Sequence, residues 1–421
     1  MKRLKYLIAI NPLLPRDRVP LPNDMVSFLP MERIGEDGSL DLSEVRPACE
    51  VSQGYTAILD GDLVIAKITP CFENGKGALC LGLQGGVGFG TTELIVLRAK
   101  QQSDLRFLYW LTRSHEFRNW GEAEMRGSAW QKRVTEEFVA NFLTIELNKV
   151  EQRRIAAYLD EQTEKIDRLM DMRRRQMALL KEQRSALIQQ AVTRGLNPNV
   201  PMKDSGLPWL GEIPEHWEIV CLKHLCSHIV DCLHATPDYT DDGEYPAIRT
   251  ADIEPGVMHI TKAKKLKYTD YLNQIQRLAP KGGDIVYSRE GERFGIAACV
   301  PPNVDLCISQ RMMHFRCRSE SSSEFVMWQL NTHTVYIQAL QRVFGATSPH
   351  INVETVRNYL LTEPPLSEQR EIVAFINAET QKTDRLLLAY DRQLTLLTEY
   401  RAALIHECVT GQRLIPEAAS L

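Results

Sequence analysis

No stretch of this 421-residue chain stays apolar long enough to cross a membrane. The N-terminal run at residues 4–10 is far too short, and Asn11-Pro12 follows where a signal peptide would place small residues, so secretion is not expected. The ten cysteines form no CxxC pair and show no regular spacing, the pattern of reduced thiols in a cytoplasm. A GxxxxGK[ST] phosphate loop is missing, which excludes ATP-driven translocation by this chain. An Asn/Asp-Pro-Pro-aromatic motif is missing too: NPLL (11–14) lacks the second proline and the aromatic. The glycines between Gly82 and Gly90 read as a hairpin or a close-approach loop rather than a cofactor site. Cys221, His224, Cys226, His228, Cys232 and His234 crowd together, but their spacing fits no standard zinc pattern, and no metal is expected. Neither a Ser/His/Asp set nor a carboxylate pair can be recovered from spacing, so catalysis is not expected.

Charge of one sign is scarce as well. The formal net charge is −4; residues 1–150 carry 18 basic and 19 acidic side chains, and residues 195–367 carry 16 and 20. A polyanionic partner would therefore have to meet positive charge focused on one face, or shared with another subunit. The basic run KAKKLK (262–267) reads either as a phosphate contact or as a solvated face. Arg173, Arg174 and Arg175 carry the same ambiguity, with a partner-subunit contact as a third reading.

What the chain does have is a duplication. Residues 151–193 align without a gap to residues 368–410 at a constant offset of 217, with 21 of 43 positions identical. Both copies lack internal Gly and Pro and are rich in strong helix formers. Ile155, Leu159, Ile166, Leu169, Leu180 and Leu187 form an apolar stripe in the first copy; Ile372, Ile376, Leu386, Leu397 and Leu404 do so in the second. Asn148 or Ser367 is placed to cap the start, and Gly195 and Gly411 lie just past the end. A helix of this length reaches on the order of 65 Å, and one apolar stripe alone would not hold it folded. The two copies are expected to pack on each other as an antiparallel coiled coil with pseudo-twofold symmetry.

The segments before each helix are of another kind. Short β-branched runs at 57–68, 93–98, 284–288 and 311–318 alternate with Gly and Pro, and helical stretches surround 105–117 and 324–340. The expected fold is α+β: a first globular domain at 1–147, a helix at 148–197, a second globular domain at 198–366, a second helix at 367–412 and a tail at 413–421.

Several motifs then become specific. DSGLPWLGEIPEHW (204–217) resembles the segment that opens a target-recognition domain in the Type I restriction specificity subunits (HsdS). PPLSEQR (364–370) resembles that family's entry into its helix, and Glu151-Gln152-Arg153 repeats the core of it. Gly61-Asp62, KITPCFENGK (67–76) and GFGTTE (88–93) look like motifs of one recognition-domain class; Gly283-Asp284, SREG (288–291) and ISQR (308–311) look like another. The first half begins at Met1 without a counterpart of the 209–217 opening.

The resemblance implies a non-catalytic DNA-recognition subunit of a multisubunit methyltransferase/endonuclease. It would read a bipartite, asymmetric site in double-stranded DNA, one half-site per domain, with the gap set by the helices. Two methyltransferase subunits and restriction subunits would be its partners, and S-adenosylmethionine and ATP/Mg would bind those partners rather than this chain. Base edges are read by side chains with paired donors and acceptors. In the first domain the candidates are Lys67, Thr69, Asn74, Lys76, Thr91, Thr92, Arg126, Ser128, Gln131, Lys132 and Arg133. In the second they are Arg249, Arg289, Arg293, Gln310, Arg311, Thr347, Ser348, His350 and Asn352. The competing reading of each is a turn residue or a structural hydrogen-bonder. Two other functions stay open at this level: a self-sufficient DNA methyltransferase, and a coiled-coil scaffold whose globules bind protein.

Overall fold

The computed structural model describes residues 1–127, 131–233, 235–341, 343–344 and 350–415. Two long helices run over Lys149–Arg194 and Leu366–Val409. The chain divides into two compact units, one of residues 1–174 with 390–421 and one of residues 175–389. Each long helix therefore gives one end to each unit.

Helix boundaries follow local chemistry. Asn148 Oδ1 accepts from the Glu151 N–H while the Glu151 carboxylate accepts from the Asn148 N–H, a reciprocal capping box. The second helix starts earlier than expected, at Leu366, and so includes Ser367. Gly195 and Gly411 close the two helices in the left-handed region, at φ +73° and +74°.

Within the first unit the two helices run antiparallel. Ile155, Leu159, Ile166 and Met170 share a core with Leu404, Ile405, Cys408 and Val409, Arg401 pairs with Asp167 at 2.9 Å, and Arg173 lies over the Tyr390 ring. The second unit repeats the arrangement with roles exchanged: Arg184 pairs with Asp384 at 3.5 Å, and Ile188, Ala191 and Val192 pack with Ile372, Val373 and Ile376. Asp384 and Arg401 are the counterparts of Asp167 and Arg184 in the repeat, so one pair of side chains serves both ends. Arg401 also lies over Trp110, as Arg184 lies over Trp328.

Of the expected stripe, Ile155, Leu159, Ile166, Ile372, Ile376 and Leu404 are buried, and Leu180, Leu187 and Leu397 are half-buried. Leu169 and Leu386 are not in the seam; they are 36% and 45% exposed. The seam advances by four at that point, from Ile166 to Met170 and from Thr383 to Leu387, which turns the preceding residue about 100° away. Buried Thr163 and Thr380, each returning its hydroxyl to the carbonyl four residues back, occupy seam positions that an apolar count passes over.

Each globule is built on a four-stranded antiparallel sheet. In the first unit its order is Ile8–Ile10, Leu94–Ala99, Asp62–Ala66, Gly77–Cys80; in the second it is Cys226–Asp231, Met312–Cys317, Ile285–Ser288, Ala297–Cys299. A further sheet follows the same plan in both units. Met25–Leu29 pairs parallel with Val87–Gly90, as Tyr245–Ile248 pairs parallel with Cys307–Ile308. The edge beside that pair is Val45–Pro47 in one unit and Lys264–Leu266 in the other. The helical stretches break into Leu105–Arg113 with His115–Ala123, and Ser323–Leu330 with His333–Leu340. Ser114 causes the first break by capping the new helix at the Phe117 N–H.

The shared Gly-Asp motif gets a physical meaning here. Gly61 and Gly283 sit at φ +90° and +87°, a backbone that favours glycine, and each presents the next residue to the sheet interior. Asp62 is 1% exposed and takes both Nε and Nη2 of Arg98 at 2.8 Å. Asp284 is 3% exposed and takes Arg316 at 2.9 and 2.7 Å, His314 Nε2 at 2.7 Å and the Lys281 N–H at 2.7 Å. Burial works against ionising Asp284, but the hydrogen bonds from His314 and Arg316 outweigh it and hold the carboxyl far below the ordinary range.

The repeated glutamine ties each helix to its globule. Gln152 Oε1 accepts from the Asp104 N–H at 2.8 Å and its Nε2 donates to the Leu147 carbonyl at 3.0 Å. Gln369 Oε1 accepts from the Ser322 N–H at 2.8 Å and its Nε2 donates to the Pro364 carbonyl at 2.9 Å. Both are almost fully buried.

Candidate nucleic-acid interface

In the first unit, three segments leave the sheets at one place. The strand Asp62–Ala66 runs into the 67–76 loop, and Val87–Gly90 runs into Thr91 and Thr92. The third segment is an antiparallel bridge between Arg126 and Arg133, which exchange backbone hydrogen bonds of 3.0 and 2.9 Å. Lys67 ties them together: its N–H donates to the Glu93 carbonyl and its own carbonyl accepts from the Val134 N–H. Thr69 adds a bond from its N–H to the Lys132 carbonyl and one from the Lys132 N–H to its hydroxyl. The sequence candidates of this domain that lie among the described residues therefore fall in one loop cluster.

The second unit has the same arrangement. Ile285–Ser288 runs into Arg289–Arg293, and Cys307–Ile308 runs into Gln310 and Arg311; His350–Ile351 joins by the Ile351 N–H to the Arg289 carbonyl. The Arg289 N–H donates to the Arg311 carbonyl. Arg249 stands at the end of the parallel neighbour Tyr245–Ile248. Ser128, Thr347 and Ser348 lie outside the described residues.

Proximity does not make every candidate a reader. Arg133 is held by Glu93 through two 2.8 Å bonds, which also hold the Glu93 carboxyl below its usual range. Arg249 is clamped by Asp252 at 2.8 and 2.9 Å. Arg289 is 3% exposed, with Asp231 at 3.0 Å on two nitrogens, Glu290 at 2.9 Å and the Ile351 carbonyl at 3.1 Å. A guanidinium so enclosed acts as a structural clamp between the segments that it joins. His350 is shared with the same pair, Asn74 donates to Glu36, Lys76 reaches the Met31 carbonyl, and Arg126 is 3.7 Å from Glu137. Asn352 caps the helix Val353–Arg357, and Arg293 donates to the Thr250 and Ile253 carbonyls.

The side chains left presenting outward are fewer. Thr92, Gln131 and Lys132 are exposed in the first cluster, with Lys67, Thr69 and Thr91 half-buried beside them. In the second, Gln310 is half-buried and Arg311 is exposed. Arg311 sits at φ +72°, an uncommon backbone for a non-glycine residue, and no ion pair engages its guanidinium among the described residues. The residues that sequence reasoning missed are the carboxylates. Arg249 and Asp252 are three apart, a visible pairing, whereas Asp231 and Arg289 are 58 apart and only the fold joins them.

Residues 214–387 match the family described as Type I restriction modification DNA specificity domain. That stretch is thus similar to the DNA specificity domain of Type I restriction modification systems. It is 42% identical over 142 residues to the EcoEI specificity subunit of Escherichia coli, a match that covers 33% of this chain and 23% of that one. It is 24% identical over 225 residues to the MjaVIII specificity subunit of Methanocaldococcus jannaschii, covering 52% and 51%. The chain thus spans about a quarter of the first relative's length and half of the second's. The fold is shared with a chain of a type I R-M system (TM-score 0.76, 19% identity, 98% and 97% covered). It is shared too with the HsdS subunit of Thermoanaerobacter tengcongensis (TM-score 0.57, 20% identity, 98% and 96% covered). The specificity-domain match lies within the second unit, and the first unit repeats its sheet plan and loop cluster. Among the described residues, no helix is long and apolar enough to cross a membrane, and no group of three or more His, Cys, Asp and Glu is placed to hold a metal ion.

Proposed function

We propose that this chain is the sequence-specificity subunit of a Type I restriction–modification enzyme. It binds double-stranded DNA at a bipartite, asymmetric site, one half-site per loop cluster, with a gap set by the long helices. It performs no chemistry itself; two methyltransferase subunits and the restriction subunits do so, with S-adenosylmethionine and ATP/Mg bound on them, in the cytoplasm. The observation that carries this reading is the repetition of one loop cluster at the ends of corresponding strands on two globules whose loop sequences differ. Phosphate contacts can come from any exposed cation, but base reading needs side chains held at fixed places, and the clamped arginines fix those loops.

The decisive experiment exchanges residues 1–147 for the recognition domain of another specificity subunit and maps the methylated motif. One half of the motif is expected to change while the other half and the partner subunits' activity persist. A change in both halves, or in neither, overturns the assignment. Arg311→Ala offers a finer test: a bidentate contact to one base is worth about 1–3 kcal/mol of discrimination. Relaxed preference at a single position of the second half-site is the expected result of a binding competition between variant sites. A uniform loss at all positions would place Arg311 on a phosphate instead.

A further inference from the structure

We propose that the edge strand Lys264–Leu266 and the turn before it form a phosphate-binding rail for duplex DNA, carried by Lys262, Lys264 and Lys265. The proposal rests on the DNA-reading role above and extends it to a surface outside the loop cluster.

For its own contacts with a polyanion, the second globule has to gather positive charge on one face. Its residues 195–367 hold 16 basic side chains against 20 acidic ones. Most of the arginines near the cluster are already engaged: Arg249, Arg289 and Arg316 by carboxylates, Arg293 by carbonyl oxygens. Besides exposed Arg311 and Arg318, the cations left to attract a polyanion are lysines. In the 262–267 run Lys267 lies 3.6 Å from Asp242, but Lys262, Lys264 and Lys265 are exposed and have no ion-pair partner among the described residues. Asp241 and Glu244 stand exposed in the preceding loop.

Placement connects this strand to the reading loops. Lys264 pairs opposite Ala247, two residues before Arg249, at the end where both parallel strands run out into the cluster. Its Nζ stands 4.8 Å from the centre of the Tyr239 ring. The Tyr239 hydroxyl donates to Ser309 Oγ at 3.3 Å, and Ser309 immediately precedes Gln310 and Arg311. Lys264 is thus seated on the same support that orients the reading segment. The strand is anchored by packing: Leu266 is fully buried, and Tyr245 beside it stacks on Tyr271 at 4.3 Å.

The fold does not require this charge. The corresponding edge in the first unit is Val45–Pro47, where Arg46 is neutralised by Glu44 at 2.6 Å and laid over the Phe28 ring. The competing explanation is that lysines merely deter edge-to-edge sheet pairing. The two differ in salt dependence.

The test uses the full chain assembled with its methyltransferase subunits, a random-sequence duplex, and a duplex carrying the motif this enzyme methylates. For the triple variant Lys262→Gln/Lys264→Gln/Lys265→Gln, the slope of log K against log[salt] is expected to shrink by roughly 2–3, at about 0.9 for each phosphate no longer neutralised. Affinity for both duplexes should fall together and the methylated motif should not change. The triple Lys→Arg variant should keep the wild-type slope, which separates charge from folding. A Gln variant that retains the wild-type slope, or that aggregates without altering it, overturns the rail. Failure of the wild-type assembly to bind either duplex would instead sink the DNA-reading role on which the rail depends.

Discussion

Replacing Asp284 by alanine is expected to cost the second unit about 3–5 kcal/mol, because it leaves a half-buried Arg316 and a buried His314 without their shared anion. Equilibrium urea denaturation of the purified chain would measure it as a fall in midpoint. The lower end of the range applies, since Arg316 keeps a bond to the Ala279 carbonyl and is 23% exposed. The same site sets an acid limit. A carboxyl held below its unfolded value stabilises the fold fully above that value, near 3.9, and the contribution fades as pH falls below about 4. The wild type should therefore lose stability between about pH 4 and lower values more steeply than Asp284→Asn, which has no proton to take up there. Equal acid slopes would show that the network is not what acid attacks.

The second large effect concerns Trp217, which ends the opening motif. Its side chain is fully buried, meets Phe325 edge-on at 6.5 Å, and donates from Nε1 to Glu368 at 3.1 Å. Truncation to alanine empties a site between the start of the second long helix and the end of the first, where Gly195 leaves room for the indole. Removing a buried aromatic of this size costs about 3–5 kcal/mol. Trp217→Phe should recover most of that and lose roughly 1 kcal/mol with the hydrogen bond. Thermal unfolding followed by circular dichroism separates the two. If Trp217→Ala unfolds within about 1 kcal/mol of wild type by the same standard, the segment does not anchor the helix junction.

The long helices were legible because the duplication declared itself and helical periodicity is written in local sequence. What escaped was a shift of one residue: Leu169 and Leu386 match an apolar template, yet Met170 and Leu387 take the seam, in which Thr163 and Thr380 also lie. Local hydrogen bonding let a polar residue enter an apolar stripe, which no hydrophobicity count anticipates. The loop cluster was legible as a set of segments, since Gly, Thr and Arg gather where backbones turn. Its individual roles were not. Arg289 looks like an ideal guanine reader by composition, but Asp231, 58 residues away, consumes it. Arg249 with Asp252, and Arg289 with the adjacent Glu290, were close enough in sequence to betray part of their neutralisation.

The glutamines at the mouths of the two helices carry a consequence for how such proteins change. Gln152 and Gln369 grip their globules through main-chain groups alone, an amide hydrogen and a carbonyl oxygen on each side. A socket of that kind is blind to the identity of what it holds. At this one point of the junction a change of side chain at Asp104, Leu147, Ser322 or Pro364 leaves the grip intact so long as the backbone keeps its path, whereas the contacts of Asp160 with Arg106 and Trp110, and of Glu368 with Trp217, do depend on the side chain.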